Sequence, residues 1–163
     1  MRAASLRLGS QGVKKTYDDA LLIIGDAAGH IDPLTGEGIH TAMMGGKAAA
    51  QTLLEMREAG DYSAANTVRY QRRWVELYGH DFGLSTAFAN LIYRYPIIMD
   101  AMASEVKRKG DVFMSKWAEI MTNMQPKTYF LRPDVALQMG FAIAREVFEQ
   151  KVIGKEDKYQ LKA

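Results

Sequence analysis

The residues best suited to do chemistry lie in one run, "GDAAGHIDPLTGEGI", from Gly25 to Ile39. Asp26 follows directly on the apolar run Ala20 to Ile24, which Gly25 closes. A carboxylate at the carboxyl end of a buried strand points into the crevice where open α/β sheets take ligands, and it suits hydrogen bonds from ribose-like hydroxyls. Gly36 and Gly38 stand where a helix begins, so backbone N–H groups there can approach a ligand closely at the positive end of the helix dipole. An anionic group, or a carbonyl that becomes anionic, is favoured at that end. Spacing alone names no ligand.

Other motifs fit less well. "GEGIHT" imitates the start of a dinucleotide fingerprint, but Thr41 replaces the third glycine and no strand directly precedes it. "GGKAAA" imitates the end of a phosphate-binding loop, yet Thr41 stands where the first glycine is required and Ala48 replaces the magnesium-binding hydroxyl. Asp26, His30, Asp32 and His40 can be drawn as metal ligands, but their spacing matches no structural or hydrolytic pattern. Hydrogen-bonded or exposed histidines are the simpler reading, and no metal is expected. No catalytic acid or base can be assigned.

The elements that must position this run follow from pattern. Asp18-Asp19 make a turn, and Ala20 to Ile24 read as a central strand buried on both faces. From Glu37 to about Arg57 the spacing of Ile39, Met43, Ala50, Leu53 and Leu54 predicts a helix, stopped by Gly60. Gly45-Gly46 inside it costs about 1 kcal/mol per glycine relative to alanine, so something is expected to pack very closely there. Leu6 and Leu8 alternate as a short edge strand would.

After Gly60 the texture is helical, punctuated by Gly79, Pro96, Gly110, Pro126 and Pro133. "SAANTVRYQRRWVELYG" carries a stripe through Tyr70, Trp74 and Leu77, and "DVFMSKWAEIMTNM" and "PDVALQMGFAIAREVFEQKV" begin at acids near helix starts. The fold class expected is α+β, mostly α. Residues 1–59 are read as the closing part of a sheet domain whose beginning is missing, and 60–163 as a helical region, because a lone strand or hairpin is marginal without partners.

The whole chain sets outer bounds. Its 163 residues, 48% apolar content and net charge of +2 describe a globular chain with no global field suited to nucleic acid. The absence of cysteine removes disulfides, thiolate metal sites and cysteine nucleophiles. The opening "MRAASLRLGSQGVKK" lacks the apolar core of a signal peptide, and Phe82 to Ala103 is broken by Arg94, Pro96 and Asp100. A cytoplasmic address is expected, with peripheral membrane contact compatible with it. "VKRKG", Val106 to Gly110, is the compact basic run and reads first as a solvated helix end.

"GDAAGHIDPLTGEGIHTAMMGGKAAA" resembles the second flavin-binding motif of the FAD-dependent oxidoreductases that include the aromatic hydroxylases, and most of all their geranylgeranyl reductase branch. GDAAG, then proline, then TGEGI, then a small-residue helix appear in order from Gly25 to Ala50. "YQRRWVELYGHDF", Tyr70 to Phe82, resembles that branch less sharply. The resemblance implies FAD as cofactor, with Asp26 at the ribityl chain, Pro33 near the isoalloxazine ring, the backbone of Gly38 and Ile39 at its N1–C2 carbonyl edge, and Gly25 and Gly36 also among the cofactor-binding residues. Negative charge gathers at that edge on reduction, so the helix N-terminus would tune redox chemistry as well as binding.

The family's earlier strand–GxGxxG–helix unit, which holds the ADP half of FAD, has no counterpart here. The resemblance therefore implies the C-terminal portion of a reductase that saturates isoprenoid double bonds, inactive alone and partnered by the N-terminal part of the same protein. A prenyl lipid would be the substrate, and Phe82, Phe88, Tyr93, Tyr95, Met99 and Met102 would serve as core or line an isoprenoid channel. A related FAD monooxygenase or quinone-linked dehydrogenase shares the motif. A non-catalytic helical interaction module, its glycine-rich loop only a turn, is the reading from another class.

Overall fold

In the computed structural model, which describes residues 13–122 and 124–152, the turn at Asp18-Asp19 closes a short antiparallel hairpin. Strand β1 (Tyr17–Asp18) pairs with β2 (Leu21–Leu22), Tyr17 opposite Leu22 and Asp18 opposite Leu21. Leu6 and Leu8 lie outside the described residues. The expected strand Ala20–Ile24, buried on both faces, does not form: Ala20 sits in the turn with φ 50°, and Leu21 and Ile24 are 49% and 48% exposed. The reason is that β2 has one strand neighbour among the described residues, so only the face carrying Leu22 packs on the core.

Helices make up the rest: α1 (Ile39–Ala59), α2 (Ala64–Trp74), α3 (His80–Arg94), α4 (Ile97–Lys109), α5 (Asp111–Met121) and α6 (Pro133–Val152). The α+β, mostly α expectation holds. The described chain divides into two compact units after Ala89. No described helix is long and apolar enough to cross a membrane.

In the first unit, α2 supplies side-chain partners to the hairpin backbone. Gln71 Oε1 accepts from the Thr16 N–H at 3.0 Å, Gln71 Nε2 donates to the Lys14 carbonyl at 3.0 Å, and Thr67 Oγ1 donates to the Asp18 carbonyl at 2.9 Å. In return, Asp19 accepts the Ala64 N–H at 2.6 Å, completing the start of α2. Backbone polar groups at a hairpin edge need such partners, and side chains of a packed helix can supply them.

Helix α1 forms where expected, and Gly60 ends it with φ 66°. Its buried face differs from the predicted one: Thr41, Gly45, Ala48, Ala49, Thr52 and Met56 pack inward, whereas Ile39 and Met43 are 83% and 72% exposed, with Ala50, Leu53 and Leu54 also outward. Small residues permit a close helix approach, and α2 takes that side. Bulk is the wrong guide to this face.

Between α2 and α3 lies one wide π-helical turn, Val75–Gly79. Tyr70, Trp74, Tyr78 and Phe82 recur every four residues, and in a pure α-helix each such step drifts by about 40°. The wide turn absorbs much of that drift. Trp74, Tyr78 and Phe82 consequently stay in one aromatic row, with Trp74–Tyr78 centroids 4.7 Å apart and Tyr78–Phe82 5.8 Å apart. Leu77, expected in this stripe, is 52% exposed because Tyr78 takes its place.

In the second unit α4 packs on α6 and α5, through Ala101, Met102, Ile120 and Ala142. Glu105 is buried among Lys109 at 2.8 Å and Arg145 at 3.4 Å. Glu146 accepts from Ser104 Oγ at 2.7 Å. The basic run ends α4, where Arg108 pairs with Glu149 and Gly110 breaks the helix. Of the aromatic and methionine cluster expected at helix contacts, Phe82 and Met102 are buried and Phe88 is partly so. Tyr93, Tyr95 and Met99 are exposed, because α4 packs through Ala101, Met102 and Glu105, a face that leaves Met99 outside, and the tyrosines occupy the end of α3 and its connection to Pro96.

Candidate functional site

The site is built on a tight 3-10 turn, Gly25–Ala28, that follows β2. Gly25 (φ 66°) and Gly29 (φ 73°) frame it in the left-handed region, where a side chain would be strained. The Gly29 N–H donates to the Asp26 carbonyl at 3.0 Å, and the His30 N–H to the Gly25 carbonyl at 3.1 Å. The Asp26 side chain is left exposed.

From there the chain runs through a loop that consumes its own amides. Buried Asp32 accepts the Leu34 and Thr35 N–H groups on Oδ1 at 2.8 and 3.1 Å, and its carbonyl accepts Gly36 N–H at 2.9 Å. The Glu37 N–H goes to Thr35 Oγ1 at 3.1 Å. Asp32 Oδ2 accepts from Ser85 Oγ of α3 at 2.9 Å, tying the loop down. Pro33 is buried in this loop, and Gly36 turns it with φ 73°.

Helix α1 follows Gly38 with no side-chain cap, and an α-helix supplies no acceptor of its own for its first amides. A Cβ on Gly38 would stand 3.2 Å from Ile31 Cγ1, 3.3 Å from the His30 carbonyl and 3.6 Å from Asp26 Oδ1. The glycine thus lets the Asp26 carboxylate and the helix opening come together. Of the residues singled out from sequence, Gly25, Asp26, Gly38 and the backbone of Ile39 converge here, whereas Pro33 and Gly36 shape the loop that leads in.

Beneath the turn lies His30, fully buried. Its Nδ1 accepts the Gly25 N–H at 3.2 Å, and its Nε2 lies 3.2 Å from the Tyr70 hydroxyl, which donates to the Ile23 carbonyl at 2.7 Å. Trp74 stacks on the ring at 3.7 Å between centroids. Burial pulls the His30 pKa down to about 4 and pushes the Tyr70 hydroxyl well above its usual range. Thr41 Oγ1 donates to the His30 carbonyl at 2.6 Å.

Gly45 meets the Cε1–Nδ1 edge of that ring, where an added Cβ would be 2.3 Å from both atoms, whereas nothing lies within 4 Å of one on Gly46. The close packing expected at the glycine pair is therefore real at its first member. His30, Tyr70 and Trp74 were legible only as a histidine and an aromatic stripe; Gly45 was the signal that something met the helix.

The four groups whose types would suit metal ligation are not gathered. Asp26 is exposed, His30 is stacked on Trp74, Asp32 is bound to Ser85, and His40 lies edge-on to Tyr78 at 6.3 Å. Among the described residues no group of three or more such side chains could hold a metal ion.

No family model and no solved structure matches the chain. It is 47% identical over 156 residues to conditioned medium factor receptor 1 of Dictyostelium discoideum, an alignment covering 96% of this chain and 30% of that protein. It is 44% identical over 70 residues to digeranylgeranylglycerophospholipid reductase 2 of Methanopyrus kandleri, covering 43% of this chain and 18% of the relative. To the reductase of that name in Methanocaldococcus jannaschii it is 45% identical over 64 residues, 39% of this chain and 16% of the relative. The chain thus spans under a third of the length of these relatives, and it contains a geranylgeranyl reductase-like region.

Proposed function

We propose that this chain carries the ribityl and flavin-ring side of an FAD site in an oxidoreductase that saturates isoprenoid double bonds. The carrying observation is the meeting of the Asp26 carboxylate with the uncapped opening of α1 across Gly38. A polyhydroxyl chain finds an acceptor in Asp26, and an electron-rich carbonyl edge finds donors in the amides that come after Gly38. The residues present therefore fit the cofactor's flavin half, and FAD when bound supplies the reducing equivalents. Asp26 binds and orients, the helix opening stabilises gathering negative charge, and Pro33 stiffens the approach.

The ADP half is assigned to an N-terminal part of the same protein, and the substrate to a prenyl lipid, with peripheral contact to the membrane that holds it. The names of the archaeal relatives support this reading. Likeness over 96% of the chain to a protein named as a receptor favours a second reading, a non-catalytic helical binding module.

The test is to prepare the longer protein and titrate FAD by flavin fluorescence, wild type against Asp26→Ala. Loss of one charge-assisted hydrogen bond should weaken binding about 10- to 100-fold. With reduced cofactor and a geranylgeranyl lipid, mass spectrometry should show one pair of hydrogens gained per saturated bond. A folded protein that takes up no FAD leaves the binding module as the reading; oxygen-dependent hydroxylation of an aromatic, with the lipid untouched, points instead to a monooxygenase.

A further inference from the structure

We propose that His30, held in its Nε2–H tautomer by Tyr70, is the positioning residue that sets the Asp26 turn against the opening of α1. This rests on the flavin reading for its purpose, though not for its geometry. The tautomer is fixed by the donors around it. The Gly25 N–H points at Nδ1, which must be a lone pair. The Tyr70 hydroxyl spends its proton on the Ile23 carbonyl at 2.7 Å, so the hydrogen between Tyr70 and Nε2 comes from the ring.

The ring and the backbone of one residue thereby tie three pieces of the site. Through Tyr70 the ring reaches Ile23, the residue after β2, through Nδ1 it holds the turn at Gly25, and the backbone carbonyl of His30 holds Thr41 of α1. Trp74 stacks on the ring, and Gly45 leaves room for its Cε1–Nδ1 edge. The arrangement disfavours a second proton, since one on Nδ1 would face the Gly25 N–H. Burial acts in the same sense, drawing the pKa to about 4. Facing the ring, α2 presents the Tyr70 hydroxyl and Trp74, and α1 presents Gly45; Asp32, two residues on, turns its carboxylate to Leu34, Thr35 and Ser85.

The experiment uses the full chain and two variants, Tyr70→Phe, which keeps the packed ring but removes the acceptor of the Nε2–H, and His30→Gln. Nitrogen-15 NMR of the wild-type imidazole should report the Nε2–H tautomer. Amide hydrogen exchange at Gly25 should quicken about tenfold in each variant, the worth of one hydrogen bond, while amides in the middle of α1 and α2 keep their protection. An Nδ1–H tautomer in the wild type, or unchanged exchange at Gly25 in both variants, would overturn the proposal.

A second arm separates it from the flavin reading. In the longer protein, FAD binding that Tyr70→Phe weakens about tenfold supports the positioning role. Equal affinity in wild type and variant overturns that role. A wild type that binds no FAD, with Gly25 behaving as expected, sinks the flavin reading alone and leaves the turn-setting role supported.

Discussion

His30 gives the molecule a pH dependence whose direction can be worked out at the level of one side chain. The unfolded chain takes up the proton near pH 6.5 and the folded chain only at about pH 4. Between those values the unfolded state binds more protons, so stability is complete above the upper value and is lost as pH falls toward the lower one. Urea melts should show a loss on the order of 3 kcal/mol across that window. A slope that persists in a His30→Phe variant would assign it to other groups. The adjacent glycines make a paired prediction. Gly45→Ala drives a methyl into the His30 ring and should cost about 1–3 kcal/mol. Gly46→Ala enters open space and should gain up to about 1 kcal/mol from helix propensity. Thermal melts of the two variants decide it, and equal shifts would refute the asymmetry. Sequence flagged the pair but could not divide it, because which glycine meets the ring depends on how α1 rotates against the turn.

At the scale of elements, the wide turn Val75–Gly79 is what lets one helical line serve two anchors. Trp74 before it stacks on His30, and Ser85 after it reaches Asp32. Ser85→Ala removes a single buried partner and should cost about 1–3 kcal/mol. Inserting one alanine after exposed Glu76 adds a residue beyond the one the wide turn accommodates and rotates α3 by about 100° against α2. That insertion should cost clearly more than Ser85→Ala in urea unfolding, and an insertion no worse than the serine variant would show that the wide turn does not set the register. The existence and ends of α1 were legible from its spacing and from Gly60. Its face was not, since the outward Ile39 and Met43 are bulkier than the inward Gly45, Ala48 and Ala49. A hydrophobic stripe marks the core only when the core is built of large side chains. Here it is built of close approach.

For the whole molecule, the glycine-rich run was legible because its pattern is local: Asp26, Gly36 and Gly38 fall within about a dozen residues of one another. The support beneath it was not, because Tyr70, Trp74 and Ser85 reach the run from positions far along the chain. The same distance has a consequence in time. Ser63 supplies no side-chain cap to α2, and the carboxylate that completes its start, Asp19, lies 45 residues earlier. All of α1 falls inside the loop this contact closes. Closing a loop of 45 residues carries an entropic cost whose length-dependent part is about 3 kcal/mol, spent before either end is rewarded. During synthesis the hairpin emerges well before the helix it needs, and waits. Hairpin and α2 are therefore expected to fold in a single late event, so the rate at which this unit assembles is governed by that meeting and not by how fast α1 winds.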